Sequence, residues 1–237
     1  MVGNIETGFA SAAFFALRSH HGGFTRLRML RVLPVILTGA RVRLEPLVPA
    51  HLDELTRAGS EPEIWRYFPC APAVSREQMR AWIEARRGQE QLGTALPFAI
   101  IDLVHGRAVG STSYMDISAR DDRLEIGSTW LGREARRTAI NTECKFLLLR
   151  HAFEVLGANR VQLKTDARNL RSQAAIERLG AIKEGVLRAH MVMADGFVRD
   201  TVMYSVIAAE WPAVKQRLEQ LLRRTRGREQ RAGAGAP

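Results

Sequence analysis

The segment from Leu124 to Gly180 constrains the fold of this chain more than any other. A strand-like run, LEIGSTWLG, leads into an arginine-bearing turn, GREARRTA, and a helical pattern follows in INTECKFLLLRHAFEVLG. RVQLKTD then reads as a second strand, and a second helix opens at Asn169. A strand that ends in a loop of exposed backbone amides at a helix N-terminus, with arginines beside it, is suited to holding phosphates. Glu125 and a hydroxyl–amide cluster (Asn169, Ser172, Gln173) belong to the same segment. Together they suggest a phosphate-bearing cofactor presented to an amine.

The flanking sequence reads as one α+β domain with a central mixed sheet. RVRLEPL (41–47) alternates as a half-buried strand does, and AHLDELTRAG suggests a short helix closed by Gly59. Ser75 is placed to cap a helix over REQMRAWIEARRGQEQ. Pro97 opens the strand PFAIIDL, and RAVGSTSYMDI and LEIGSTWLG continue an antiparallel meander. IKEGVLR and DTVMYSVIA are two last strands joined across the turn pair Asp195–Gly196, and WPAVKQRLEQLL carries a helical apolar stripe. Residues 1–33 read as a poorly ordered extension, 34–222 as a single domain and 223–237 as a disordered basic tail.

The formal charge of +10 raises the question of nucleic acid. Residues 1–40 carry four Arg against one Glu, and residues 223–237 five Arg against one Glu, so only +3 is left for the middle of the chain. No helix-turn-helix, zinc-finger or aromatic RNA-binding signature accompanies it, which argues against a nucleic-acid partner. Cys70 and Cys144 have neither redox nor metal-ligand spacing and read as reduced thiols. No run approaches the length of a membrane span, and GFASAAFFAL follows Glu6 rather than a basic region. A cytoplasmic protein without metal and without membrane attachment is the expectation.

In the turn, Asn141 or Thr142 is expected to cap the helix, and the amides of Ala139 to Asn141 to face the loop. Arg133, Arg136 and Arg137 add donors suited to phosphate, although a solvated basic turn would have the same composition.

The ordered series of LEIGSTWL, the arginine loop, TE at 142–143, FEVLGANRVQLKTDARNLRSQAAIERLGA and EGVLR resembles the GNAT superfamily of acyl-CoA-dependent N-acetyltransferases. Within it the ribosomal-protein N-terminal alanine acetyltransferase branch is the most similar, over about residues 41–210. The resemblance implies a mostly antiparallel sheet of six to seven strands, acetyl-CoA as donor, a primary amine such as a protein N-terminus as acceptor, direct attack in a ternary complex, and a homodimer. It also implies roles for residues. The loop 136–141 (Arg136, Arg137, Thr138, Ala139, Ile140, Asn141) would grip the coenzyme A pyrophosphate, with Arg133 beside it. Arg137 stands where the family has glycine, which would restrict the backbone to more ordinary angles. Trp130 or Leu131 would offer a backbone N–H to the thioester carbonyl. Asn169 would contact the pantetheine or order the loop, and a simple helix cap is its structural alternative.

Glu125 matches the carboxylate of the family's EIG strand and is the candidate base. The family's acidic tyrosine would fall at Ile176 and is therefore absent. Ser172 matches a serine of the branch that could meet the departing sulfur. His190 and Tyr204 could flank the acceptor, as could the stretch Trp65, Tyr67, Phe68, for which core packing is the stronger alternative. Arg137 and Ile176 together leave a second reading open, a GNAT-shaped module that binds acyl-CoA without turning it over.

Overall fold

The computed structural model describes residues 30–234. A single eight-stranded sheet has the order β1-β2-β3-β4-β5-β6-β8-β7. Its strands are β1 (Leu37–Thr38), β2 (Val42–Pro46), β3 (Ala95–Asp102), β4 (Arg107–Ser118), β5 (Arg123–Leu131), β6 (Arg160–Asp166), β7 (Ile182–Val192) and β8 (Val198–Ile207). All neighbours are antiparallel except β5 and β6. The two-residue β1 carries the count beyond the six to seven strands expected.

Among the described residues five α-helices cover the sheet: α1 (Leu52–Ala58), α2 (Arg76–Gln91), α3 (Ile140–Arg150), α4 (Leu170–Leu179) and α5 (Trp211–Ala234). The Ser75 side chain caps α2 by accepting from the Gln78 amide, as the sequence predicts. Two apolar cores lie on opposite faces, because side chains alternate along each strand. Leu124, Ile126, Leu163 and Tyr204 join α3 and α5 in the larger core, whereas Trp65, Met79, Trp82 and Trp130 form an aromatic-rich core with α1 and α2.

Three expectations change. The helix from Trp211 runs on to Ala234, through most of the segment expected as a disordered tail. Residues 1–29 of the expected extension lie outside the described residues, but Leu30 is packed into the larger core and donates its amide to Asp122 Oδ1 (3.0 Å). Helix α3 starts at Ile140, so Asn141 and Thr142 lie inside its first turn instead of capping it. Thr138 acts there, its hydroxyl accepting from the Ile140 amide (3.2 Å). Glu143, buried one turn on, accepts from the amides of Ala40 and Arg41 (2.9 and 2.8 Å) and ties α3 to the turn before β2. Gly39 is required by that contact, since a Cβ there would lie 2.8 Å from the carboxylate.

Candidate active site

Strands β5 and β6 pair over three positions only, Arg123–Arg160, Leu124–Val161 and Glu125–Gln162. Beyond Glu125 they diverge and open a wedge. A bulge helps to turn β5 away. Ser128 and Thr129 together face Thr112 of β4, with Ser128 at φ 50°. An extra residue of this kind bends a strand and re-aims its groups.

The bulge also decides which amide faces the wedge. The Gly132 amide donates to Val109 of β4 (2.8 Å), and the Leu131 carbonyl accepts from Arg136 Nε (2.9 Å) on the opposite side. Backbone groups alternate in direction along a strand, so the Leu131 N–H points into the wedge and the Trp130 N–H towards β4. The Trp130 side chain is turned into the aromatic core, 5.2 Å from Trp65 and 5.8 Å from Trp82 between ring centroids. Of the two donors expected, Leu131 has the geometry.

At the C-terminal end of β5 a short turn, Arg133–Ala135, leads into the loop before α3. Arg137 adopts φ 62°, the left-handed conformation that glycine takes most easily. The arginine therefore takes a left-handed angle, contrary to the expectation of ordinary angles, at a conformational cost of about 1–2 kcal/mol. Among the described residues the amides of Arg137, Thr138, Ala139 and Asn141 have no acceptor. Ala139 and Ile140 bury their side chains, so only their backbone can meet a ligand.

Arg137 also lines a groove of about 640 Å³ formed by Glu61–Glu63 with Arg133, Arg136 and Arg171. Arg136 is held in place by the Leu131 carbonyl and by Glu61 (3.5 Å), while Arg133 is largely exposed. Arg171 was not singled out by the sequence reading; its position in the first turn of α4, after Asn169, was the available signal. The Asn169 side chain caps α4 by accepting from the Ser172 amide (3.1 Å). The Ser172 hydroxyl, half-buried, makes no hydrogen bond among the described residues.

Glu125 lies at the apex of the wedge, on the face opposite the larger core, and is 2% exposed. Its Oε2 pairs with Lys164 Nζ (2.9 Å) and accepts from Gln162 Nε2 (3.1 Å). Oε1 accepts no hydrogen bond among the described residues. A Cβ at Gly127 would lie 2.5 Å from it, so the glycine of the EIG motif is what leaves that oxygen room. Lys164 and Gln162 were legible in principle, as the polar face of RVQLKTD beside Glu125.

Further along this face, His190 Nδ1 meets Thr201 Oγ1 (3.1 Å), and burial, with Lys164 and Arg199 nearby, lowers the pKa of the imidazole. The Arg168 guanidinium lies 3.6 Å from the centre of the Phe197 ring and pairs with Asp166 (2.7 Å). Tyr67 offers its carbonyl to Arg199 (3.3 Å). Tyr204 does not belong to this group. It is buried in the larger core on the other side of the sheet, with its hydroxyl bonded to Glu177 (3.0 Å) and its pKa pushed up to about 12 by burial and by that carboxylate. Trp65 is likewise a core residue, its indole N–H donating to Gly59 O (2.9 Å), and Phe68 packs on it. Burial pushes the Cys144 thiol up to about 12, so it is no nucleophile. No helix among the described residues is long and apolar enough to cross a membrane, and none of their His, Cys, Asp and Glu side chains group as metal ligands do.

Residues 41–182 match the family model described as an acetyltransferase (GNAT) domain. A GCN5-related N-acetyltransferase from Brucella melitensis is 33% identical, with a TM-score of 0.78 over 82% of this chain and 88% of its own. An uncharacterized N-acetyltransferase, p20, from Bacillus licheniformis is 28% identical over 72% of this chain and 95% of its own length. RimJ from Mycobacterium smegmatis, solved in complex with CoA-disulfide, shares the fold at 20% identity, with a TM-score of 0.70 over 79% of this chain and 95% of its own.

Proposed function

The chain belongs to the GNAT acetyltransferase family, and from that premise we propose that it transfers the acetyl group of acetyl-CoA to a primary amine through a ternary complex. The observation that carries this reading is Glu125, a buried carboxylate at the apex of the wedge with one oxygen kept clear by Gly127. The residues present fit the donor. The amides of Arg137, Thr138 and Ala139, with Arg136, Arg137 and Arg171, suit the pyrophosphate and phosphate of coenzyme A, and the diverging strands suit its pantetheine arm. Bound acetyl-CoA supplies an activated thioester.

In this reading the Leu131 N–H donates to the thioester oxygen, where negative charge develops as the amine attacks. Glu125 Oε1 takes the proton of the attacking amine, directly or through one water. As the new C–N bond forms, the C–S bond breaks, and the sulfur leaves as a thiolate to which the Ser172 hydroxyl donates a hydrogen bond and which takes its proton from water. Asn169 orders α4, so that Arg171 and Ser172 face the donor. We read the chain from Leu30, which is packed in the core, to the last helix, which runs on to Ala234, as one such domain acting in the cytoplasm. Resemblance to the ribosomal-protein branch makes a protein N-terminal amine the acceptor and a homodimer the assembly.

The test is saturable release of coenzyme A thiol from acetyl-CoA on addition of amines and N-terminal peptides. The second reading, a module that binds acyl-CoA without transfer, has in its favour the buried Ile176 where the family's acid would stand. Tight acetyl-CoA binding with no transfer across a broad panel of amines and peptides would select it.

A further inference from the structure

Arg199 is a buried cation without a carboxylate. It lies on β8 on the same face as Glu125 and is 4% exposed. Its Nε donates to Thr201 Oγ1 (3.0 Å) and its Nη1 to the Tyr67 carbonyl (3.3 Å), both neutral acceptors. The neighbouring charges are already matched, Lys164 with Glu125 and Arg168 with Asp166. Among the described residues no carboxylate lies within ion-pair distance of Arg199, and its Nη2 has no acceptor. Burial pulls its pKa down, against the longer-range attraction of Asp166 and Glu125.

A guanidinium removed from water costs free energy unless a counter-charge compensates it. Here one positive charge is left over on the acceptor side of the sheet, beside Thr201 and His190, whose side chains add polar groups. The Tyr67 loop and the strand carrying Arg199 hold it on a rigid element. A planar fork with an open nitrogen matches a carboxylate better than any neutral group does.

We propose that Arg199 binds a carboxylate carried by the acceptor, so that the substrate is a primary amine with an acid group close to it. This inference rests on the acetyl-transfer reading for the amine and on Arg199 alone for the acid. The carboxylate has two sources, the α-carboxylate of a free amino acid or the acidic side chain at a peptide's N-terminus, and both present the same chemistry.

The experiment compares matched acceptors: free amino acids against their amides, and peptides beginning with Asp or Glu against those beginning with Asn or Gln. Wild type is expected to favour the acidic member by about ten- to hundredfold in kcat/KM, the equivalent of one charge-assisted hydrogen bond. The pair that shows the preference identifies the source. In Arg199→Gln the ratio is expected to collapse towards one, and Arg199→Lys, which keeps the charge, is expected to retain part of it. A wild type that uses both members equally, or a preference that survives Arg199→Gln, overturns the carboxylate site while leaving acetyl transfer standing. If no acceptor is acetylated, thermal melting decides. A Tm raised by glutamate but not by glutaminamide, which carries no carboxylate, in wild type, and by neither in Arg199→Gln and only partly by glutamate in Arg199→Lys, keeps the site and sinks the transfer reading. No such difference overturns the site as well.

Discussion

Gly127 is the residue that keeps Glu125 open: a Cβ at that position would lie 2.5 Å from Oε1 and 3.0 Å from the Met115 sulfur. Alanine there must displace the carboxylate or fill the space where an amine or water would sit. Gly127→Ala is therefore expected to lower kcat by about a hundredfold, the cost of misplacing a reacting group by an ångström. Its affinity for CoA, read by calorimetry, should be unchanged, because the phosphate groove lies at the other end of β5. Wild-type kcat in this variant would mean that Oε1 needs no room.

In the proposed reading the groove arginines act on the donor rather than on the chemistry. Arg136→Ala and Arg171→Ala are each expected to raise the Kd for CoA by about tenfold or more. Added salt should weaken binding in wild type more than in either variant. Pantetheine, which lacks the phosphates, should bind all three equally. An unchanged Kd for CoA would remove these side chains from the donor site.

Glu143 ties α3 to the turn before β2, since its carboxylate accepts from the Ala40 and Arg41 amides. Glu143→Ala leaves those donors without their acceptor and should cost about 1–3 kcal/mol in urea unfolding. Activity per folded molecule should hold. A variant as stable as wild type would show that the turn before β2 is held by other contacts.

Lys145 makes the stability depend on pH. Burial lowers its pKa to about 8 from 10.5, and its Nζ donates to Thr129 Oγ1 (2.6 Å). Between those two values the unfolded chain holds a proton that the folded protein does not, so stability rises with pH across that window. Below pH 8 the penalty for burying the charge is present in full. Lys145→Met should therefore gain on wild type at pH 7 and lose that advantage towards pH 10, as read from paired urea melts. A gap that stays constant across the window would mean that the amine is charged in neither state or in both.

Much of this was legible in the sequence because periodicity reports burial. Strand β6 matched RVQLKTD residue for residue, Ser75 and Asn169 capped their helices, and the meander from β2 to β5 followed from β-rich runs parted by turn residues. Glu125 was picked out by its likeness to the family's EIG strand, and the arginine loop by its place between a strand and a helix that are consecutive in the chain. What pairs across the sheet was not. The Lys164 and Gln162 contacts to Glu125 depend on strands joined through α3, and the place of Arg199 beside Tyr67 spans 132 residues of sequence. Arg137 shows the limit of residue preference, since a loop held at both ends kept a left-handed angle without its glycine. Tyr204 failed for a simpler reason: a shift of one residue along β8 exchanges the two faces of the sheet.

Transfer through Glu125 is tested most directly by the pH dependence of kcat/KM for acetyl-CoA and an amine, in wild type and in Glu125→Gln. The amide keeps the shape of the side chain and cannot take a proton. Near pH 7 the variant should be slower by about a hundredfold or more, with an unchanged Kd for CoA. Its rate should climb as rising pH deprotonates the free amine and narrow the gap. Equal rates for the two proteins at every pH would contradict the assignment of Glu125 as the base.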